Sequence, residues 1–427
     1  MAGLLRQYAA GYVAQHSAQA APQVQSTLAK LSLCRTAALG SRQYRCGSCG
    51  NESTVYNSCG DRHCPQCSGA KRADWLSSTA ELLLPGIDYF QVVFTIPDRL
   101  SALTLGNRRA LYNLLFASAW QSLREVIAEE QGFEAAAAMV LHTWNQKLEP
   151  HVHVHAVVPG GGPSLRGEHR WVTSHRRDVP QGVAAYLVNA DDLRQRFRQT
   201  FLIGLRRLHQ QGALKLEGEW SLLRDGAAFE AWLQPLEQIS WVTYIEPPPS
   251  QGANAEQVLK YLARYLTGGP ISDRRLIAHT GDRVTFLART GQTPGGTADD
   301  SEPYTLSGTE FVRRWSLHIL PKGFVKTRRF GGYSNRQRQH YLATCINLLP
   351  EEHEPPSPAP MELVSPGEAM PPASADTGEL DVIETAASDP ACAECGGRMQ
   401  CLTDQNRPGW DIVFAGPDRP RWYLDGS

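Results

Sequence analysis

The spacing of apolar residues changes period several times along the chain, and each change marks a predicted element. Residues 1–30 carry an apolar stripe in an Ala- and Gln-rich background and predict helix. Residues 34–67 lose that texture; they are short, polar and cysteine-dense, with Gly47, Gly50 and Gly60 at turns. Residues 71–84 read as an amphipathic helix that stops before Pro85-Gly86. A β-rich run follows at Tyr89–Ile96, then helical spacing over 107–130 through Leu111, Leu114, Leu115, Ala119, Leu123, Val126 and Ile127. Met139–Trp144 and Val152–Val158 predict a pair of strands, and Trp241–Ile245 and Val284–Leu287 two more. Residues 191–213 and 255–267 predict helices. Strands and helices alternate without a βαβ rhythm, so the expected class is α+β with an antiparallel sheet and flanking helices.

Composition adds a division of the chain. Formal net charge is −1, but residues 351–390 hold ten acidic residues and no Lys or Arg. The remainder has 42 basic against 33 acidic residues, a surplus of +9 that points to a polyanionic partner. The acidic stretch is also rich in Pro, Ala and Ser and predicts a disordered linker. The expected organisation is a zinc-binding module with flanking helices (1–85), a catalytic domain with a basic end (86–348), the linker (349–390) and a small cysteine-containing tail (391–427). No apolar run approaches the roughly 18–20 residues of a membrane span, and no secretory signal is visible. A soluble cytoplasmic protein with no membrane partner is the expectation.

Six of the ten cysteines fall between Cys34 and Cys67. Cys46-Gly-Ser-Cys49 and Cys64-Pro-Gln-Cys67 form two C-x2-C pairs, and four thiolates suit a closed, structural tetrahedral Zn2+ site. Cys34, Cys59 and His63 lie close by as further or alternative ligands. Cys392-Ala-Glu-Cys395 is half of another site, to which Cys401 could add one more sulfur.

Three stretches carry chemistry. In His151-Val-His153-Val-His155 the alternation places three imidazoles on one face of a strand, a pattern suited to a divalent metal. The following Gly160–Gly162 predicts a loop that lets a phosphate backbone approach. Tyr261 and Tyr265 stand at i and i+4 on a helix ended by Gly268-Gly269-Pro270, beside Lys260 and Arg264; taken alone, the tyrosines also fit an ordinary amphipathic core. Residues 311–340 contain eight basic residues and no acid, including Lys322, Lys326, Arg328 and Arg329, interleaved with Trp315, Phe324, Phe330 and Tyr333. Cations with aromatics suit single-stranded nucleic acid, through phosphate neutralisation and base stacking; a solvated basic face is the plainer alternative. Metal, tyrosine and basic surface together fit phosphodiester transesterification.

At these residues the chain resembles the two-tyrosine HUH transposases of the insertion-sequence-91 type, relatives of rolling-circle initiators. The resemblance runs from about residue 34 to 345. It rests on Cys34-Arg-Thr-Ala-Ala-Leu-Gly, Ser58–Cys67, Phe90–Pro97, His142-Thr-Trp-Asn-Gln, His153-Val-His155, Tyr261-Leu-Ala-Arg-Tyr265, Ile271–Arg275 and His318–Phe324. It implies an HUH-endonuclease-like sheet preceded by a small zinc-ribbon-like module. It implies Mg2+ or Mn2+ on His153 and His155, with His151 as third ligand and Gln257 as its rival. Tyr261 and Tyr265 would be successive nucleophiles, forming 5′-phosphotyrosine and a free 3′-hydroxyl. The partner would be single-stranded DNA at element ends and target, met by Lys260, Arg264, Arg274, Arg275 and the basic segment. A plasmid relaxase or replication initiator of the same chemistry, a zinc hydrolase built on the three histidines, and a non-catalytic zinc DNA-binding protein are the alternatives.

Overall fold

The computed structural model describes residues 1–67, 77–179, 182–248, 269–289, 301–349 and 390–423. In chain order its strands are β1 (Ser41–Cys46), β2 (Glu52–Tyr56), β3 (Tyr89–Thr95), β4 (Ala136–Trp144), β5 (Pro150–Pro159), β6 (Gly161–Pro163), β7 (Trp171–Thr173), β8 (Arg176–Val179), β9 (Gly182–Ala185), β10 (Val242–Glu246), β11 (Leu276–Thr280), β12 (Arg283–Arg289), β13 (Ser301–Ser307), β14 (Thr327–Gly331) and β15 (Met399–Asp404). The described chain is a mixed α/β structure whose sheets are antiparallel. The largest sheet has five strands in the order β10-β3-β5-β4-β14. A second, β15-β1-β2, joins the two ends of the chain, and a third is β11-β12-β13.

Period-two alternation divides the five-stranded sheet into two chemically different faces. Phe90, Val92 and Phe94 of β3, Met139 and Leu141 of β4, and Val152, Val154 and Ala156 of β5 point to one side. There they pack with the long helices Arg108–Glu130 and Ala190–Gln210 through Leu111, Leu115, Phe116, Phe197 and Phe201. The alternate positions, Gln91 on β3, His142 on β4, and His153 and His155 on β5, therefore leave from the other face. The two central strands are buried along almost their whole length, which is why the run Ala-Ala-Ala-Met-Val-Leu of β4 is continuously apolar. A separate core joins the N-terminal helix Ala2–Gln15 to the helix Gly308–Ser316 and to β12 through Leu5, Tyr12, Phe286, Phe311 and Trp315.

The basic segment takes a different form from the one expected. Residues 327–331 are the edge strand β14, paired with β4. Trp315, Phe324 and Tyr333 are almost wholly buried, so they are core and cannot serve as base-stacking platforms. Phe330, half-buried, stacks on Trp120 at 5.5 Å. Gly160–Gly162 is a second correction. These glycines are buried, and a Cβ there would lie 2.9 Å from Phe90, 2.6 Å from Trp171 or 2.5 Å from the Glu134 carbonyl oxygen. Close packing at the end of β5, not approach by a phosphate, requires them.

The turn between β4 and β5 fixes their register. Asn145 Oδ1 accepts from the backbone N–H groups of Lys147 and Glu149, both at 2.9 Å. Leu148 sits at φ 61°, unusual for a residue with a Cβ, and is completely buried. His318 holds it there: its Nε2–H donates to the Leu148 carbonyl at 3.1 Å, and its Nδ1 accepts from the Thr143 hydroxyl at 3.1 Å. Burial pulls the His318 pKa down to about 4.

In the unfolded chain that imidazole takes its proton near pH 6.5. Its contribution is therefore whole above that pH and lost as pH falls from about 6.5 toward 4, an effect on the order of 3 kcal/mol. Thermal unfolding followed by circular dichroism should show a falling midpoint across that window. His318→Gln, which supplies an amide donor and acceptor but does not titrate, should make the fall shallower, leaving the part due to His153 and His155; an unchanged slope would remove His318 from this role.

Candidate functional site

On the polar face of the sheet, β5 lies between β3 and β4 and brings three histidines together. The register sets His142 directly opposite His153, and Val140 opposite His155. One ring nitrogen from each of His142, His153 and His155 lies within 4.8 Å of the others. Ring centroids are 5.3 Å apart for His142 and His153, 4.6 Å for His142 and His155, and 4.9 Å for His153 and His155. His151, expected as the third member, stands outside the group. It lies beyond the last residue pair between β3 and β5, is partly exposed, and turns its Nδ1 toward Asp98 Oδ1 at 3.4 Å. His142 takes the place in the group, which the sequence reading missed; only the register across the β4–β5 turn could have signalled it. Gln257, Tyr261, Tyr265, Lys260 and Arg264 lie outside the described residues.

The surroundings keep His153 and His155 neutral. Burial, reinforced by the neighbouring His155 and His151, drives the His153 pKa well below its ordinary value. Burial and the Lys326 ammonium pull His155 down to about 3. Neutral imidazoles are the form that ligates metal. His153 Nδ1–H donates to the His151 carbonyl at 2.9 Å, which leaves its Nε2 as the lone-pair nitrogen. Gln91 bears on the tautomer of His155. Its Nε2 is 3.0 Å from His155 Nδ1, while its Oε1 is buried without a hydrogen-bond partner. A half-turn of the carboxamide exchanges these atoms, so that Oε1 accepts from Nδ1–H and His155 Nε2 becomes the ligand nitrogen. The donor set thus fits a divalent cation, with Gln91 orienting one ligand.

Cations around the group have distinct roles. Lys326 Nζ lies 5.1 Å from the centre of the Trp144 ring, and Trp144 in turn stacks on His142 at 4.8 Å. Of the predicted nucleic-acid contacts among the described residues, Lys326 is therefore the one beside the histidines. Arg328 packs over Phe116 and Phe324 and donates to Asn113 Oδ1, and Arg329 donates to Ser78, so both brace β14. Arg275 donates to the carbonyls of Leu287 and Gln146. Arg274 and Lys322 are exposed at a distance in sequence from β5.

The cysteines form two groups rather than the single site expected from Cys46, Cys49, Cys64 and Cys67. Cys34, Cys59, Cys64 and Cys67 gather in one; Cys46 and Cys49 gather with Cys392 and Cys395 in the other. In the first group the sulfurs of Cys34–Cys67, Cys59–Cys67 and Cys34–Cys64 are 3.5, 3.5 and 3.6 Å apart. Tetrahedral zinc with Zn–S bonds of about 2.3 Å needs sulfurs about 3.8 Å apart, so this set fits. Cys46–Cys49 form the turn of the β1–β2 hairpin, which holds them away from Cys64 and Cys67, while Cys34 and Cys59 complete the group around that second pair. His63 is not a ligand here. Its Nδ1 meets Asp61 Oδ1 at 2.8 Å and its Nε2 accepts from the Leu320 N–H at 3.1 Å. Arg62 donates to the carbonyls of Pro321 and Phe324. Together they tie the cysteine loop to the segment entering β14.

A family model described as "Transposase zinc-binding domain" matches residues 4–96, and one described as "Putative transposase" matches residues 137–340. "Putative transposase y4qJ" of Sinorhizobium fredii (strain NBRC 101917 / NGR234) is 36% identical over 370 residues, 86% of this chain and 87% of that protein. The chain belongs to the IS91 family of transposases. The transposase for insertion sequence element IS801 of Pseudomonas savastanoi pv. phaseolicola is 29% identical over 345 residues, 78% of this chain and 75% of its own. No solved structure matches the transposase. The zinc-binding match spans Cys34, Cys59, Cys64 and Cys67, and the geometry of this group fits the structural Zn2+ that such a domain holds. No described helix of the transposase is long and apolar enough to cross a membrane.

Gln91→Leu keeps the volume at this position and removes the amide. It should weaken Mn2+ binding to the histidine group by roughly 10- to 100-fold, the usual range for losing a group that orients a metal ligand. Titration of Mn2+ by electron paramagnetic resonance reads this directly, and unchanged affinity would dismiss Gln91 as an orienting group.

Proposed function

We propose that this transposase nicks and rejoins single-stranded DNA at its element ends and target by HUH-type chemistry, in a rolling-circle mode. The observation that carries the reading is the convergence of His142, His153 and His155 on the two central strands of an antiparallel sheet. His153 and His155 are the pair that the HUH resemblance assigns to metal, and His142 completes a three-nitrogen set with them. A divalent cation held there would polarise the scissile phosphate and offset the charge that develops on it. An all-imidazole set favours Mn2+ over Mg2+, which prefers oxygen ligands.

The protein's own groups divide the remaining work. Burial keeps His153 and His155 unprotonated, and the Lys326 ammonium beside the group attracts the phosphate backbone. Tyr261 and Tyr265, whose assignment rests on the sequence, supply the nucleophiles. The phenolic oxygen bonds to phosphorus, its proton passes to solvent, and the phosphorus–O3′ bond breaks to leave a protonated 3′-hydroxyl. Rejoining reverses the polarity: a 3′-hydroxyl attacks the phosphotyrosine and the phenol leaves. No external energy source is consumed, because the phosphodiester energy is retained in the tyrosine ester. Two tyrosines allow one strand end to be held while another is cut.

Purified protein incubated with labelled single-stranded DNA carrying an element end, and Mn2+, should yield a covalent adduct on a denaturing gel. Tyr261→Phe with Tyr265→Phe should abolish the adduct, and His153→Ala or His142→Ala should lower it by at least 100-fold. Cleavage that survives the double tyrosine variant without an adduct would replace this reading with attack by a metal-activated water. Lys326→Ala should weaken single-stranded DNA binding, measured by fluorescence anisotropy, and reduce its dependence on salt by about one released counterion. An unchanged salt slope would place the phosphate elsewhere.

A further inference from the structure

The tail carries a cysteine pair that neither family match covers, since those matches span residues 4–96 and 137–340. Cys392 and Cys395 lie against Cys46 and Cys49, with the four sulfurs within 4.8 Å of one another. Cys46 and Cys395 are 3.5 Å apart, and Cys49 and Cys392 are 3.7 Å apart. These separations again match the roughly 3.8 Å edge of a zinc–thiolate tetrahedron.

The two turns are also built alike, an independent sign of a ligand. In the first, the Gly50 N–H donates to the Cys46 carbonyl at 3.0 Å and the Cys46 N–H to the Asn51 carbonyl at 2.8 Å. In the second, the Gly396 N–H donates to the Cys392 carbonyl at 2.8 Å and the Cys392 N–H to the Gly397 carbonyl at 2.8 Å. Each register is the same, i+4 to i and i to i+5. Each turn ends on a left-handed glycine, Gly50 at φ 75° and Gly396 at φ 70°. The turns abut closely: a Cβ on Gly397 would lie 2.6 Å from Ser48 Oγ. Cys401 is not part of the group; it lies exposed on β15 and its thiol donates to the Thr403 carbonyl.

We propose that Cys46, Cys49, Cys392 and Cys395 form a second structural zinc site, closed from opposite ends of the chain, which fastens the tail to the N-terminal region. The contacts around it have the same effect. β15 pairs with β1, Arg42 meets Asp404 at 3.0 Å, and Arg407 donates to the carbonyl of Cys59 in the first cysteine group. Beyond Arg407, Val413, Phe414 and Tyr423 enter the core that holds Tyr12, Leu28 and Cys34.

Zinc counted by mass spectrometry on the reduced full-length protein tests this. Cys392→Ser with Cys395→Ser should lower the content by one ion per chain. Cys46→Ser with Cys49→Ser should lose the same single ion, and all four substitutions together should lose no more than one. Cys401→Ser should lose none. Tail variants that retain full zinc, or a quadruple variant that loses two ions, would overturn the proposal. Cadmium-113 NMR of the unaltered protein covers the case of a variant that does not fold. Two resonances at all-thiolate shifts are expected; a single one, or a tail pair found oxidised to a disulfide with no bound metal, would overturn it equally.

Discussion

The hydrogen-bonded turn between β4 and β5 governs how the three histidines meet. Asn145 closes the turn, His318 pins the carbonyl of the left-handed Leu148, and together they hold His142 across from His153. Side chains alternate along a strand, so a slip of one residue would turn one strand's histidines into the helix-covered core and bring apolar residues to the polar face. The apolar residues of β3, β4 and β5 resist that slip, because their alternate positions are already buried beneath two long helices. Register and burial therefore specify the same arrangement, and the neutral state of His153 and His155 follows from it.

A second layer of constraint comes from outside the sheet. The loop carrying the first cysteine group reaches the segment entering β14 through Arg62 and His63. That segment includes Lys326, the cation beside the histidines. Removing zinc from the N-terminal group would therefore loosen not only that module but also the edge of the sheet where a phosphate is expected to lie. A metal held there would be structural in its coordination, yet it would help set the position of a charge beside the histidine group.

Much of this was legible in the sequence where a pattern depends only on local periodicity. The β-rich run at 89–96, the helix at 107–130 and the strands around 139–158 appear at their expected places, because each has a clear two- or 3.6-residue period. The alternation His-Val-His-Val-His correctly put His153 and His155 on one face. What was not legible depends on pairing across the chain. His142 joins the group only through a register that the turn decides, and His151 leaves it because β3 has ended. Two C-x2-C pairs fourteen residues apart look like one site, yet Cys34, Cys392 and Cys395 are recruited from elsewhere. The basic, aromatic stretch at 311–340 misled for a similar reason: composition shows cations and rings but not that Trp315, Phe324 and Tyr333 face inward.

The pairing of β1 with β15 has a consequence for the order in which the molecule is made. Cys46 and its partner Cys395 are 349 residues apart. At a synthesis rate of about 5–20 residues per second, β1 waits roughly 20–70 seconds for the strand that will cover its open edge. During that interval β2 protects only one side, and the other presents unsatisfied amides and a pair of uncommitted thiols to whatever is nearby. A nascent chain on the same message carries the same open edge, so crowded translation exposes this protein to a pairing between copies that a finished molecule no longer permits.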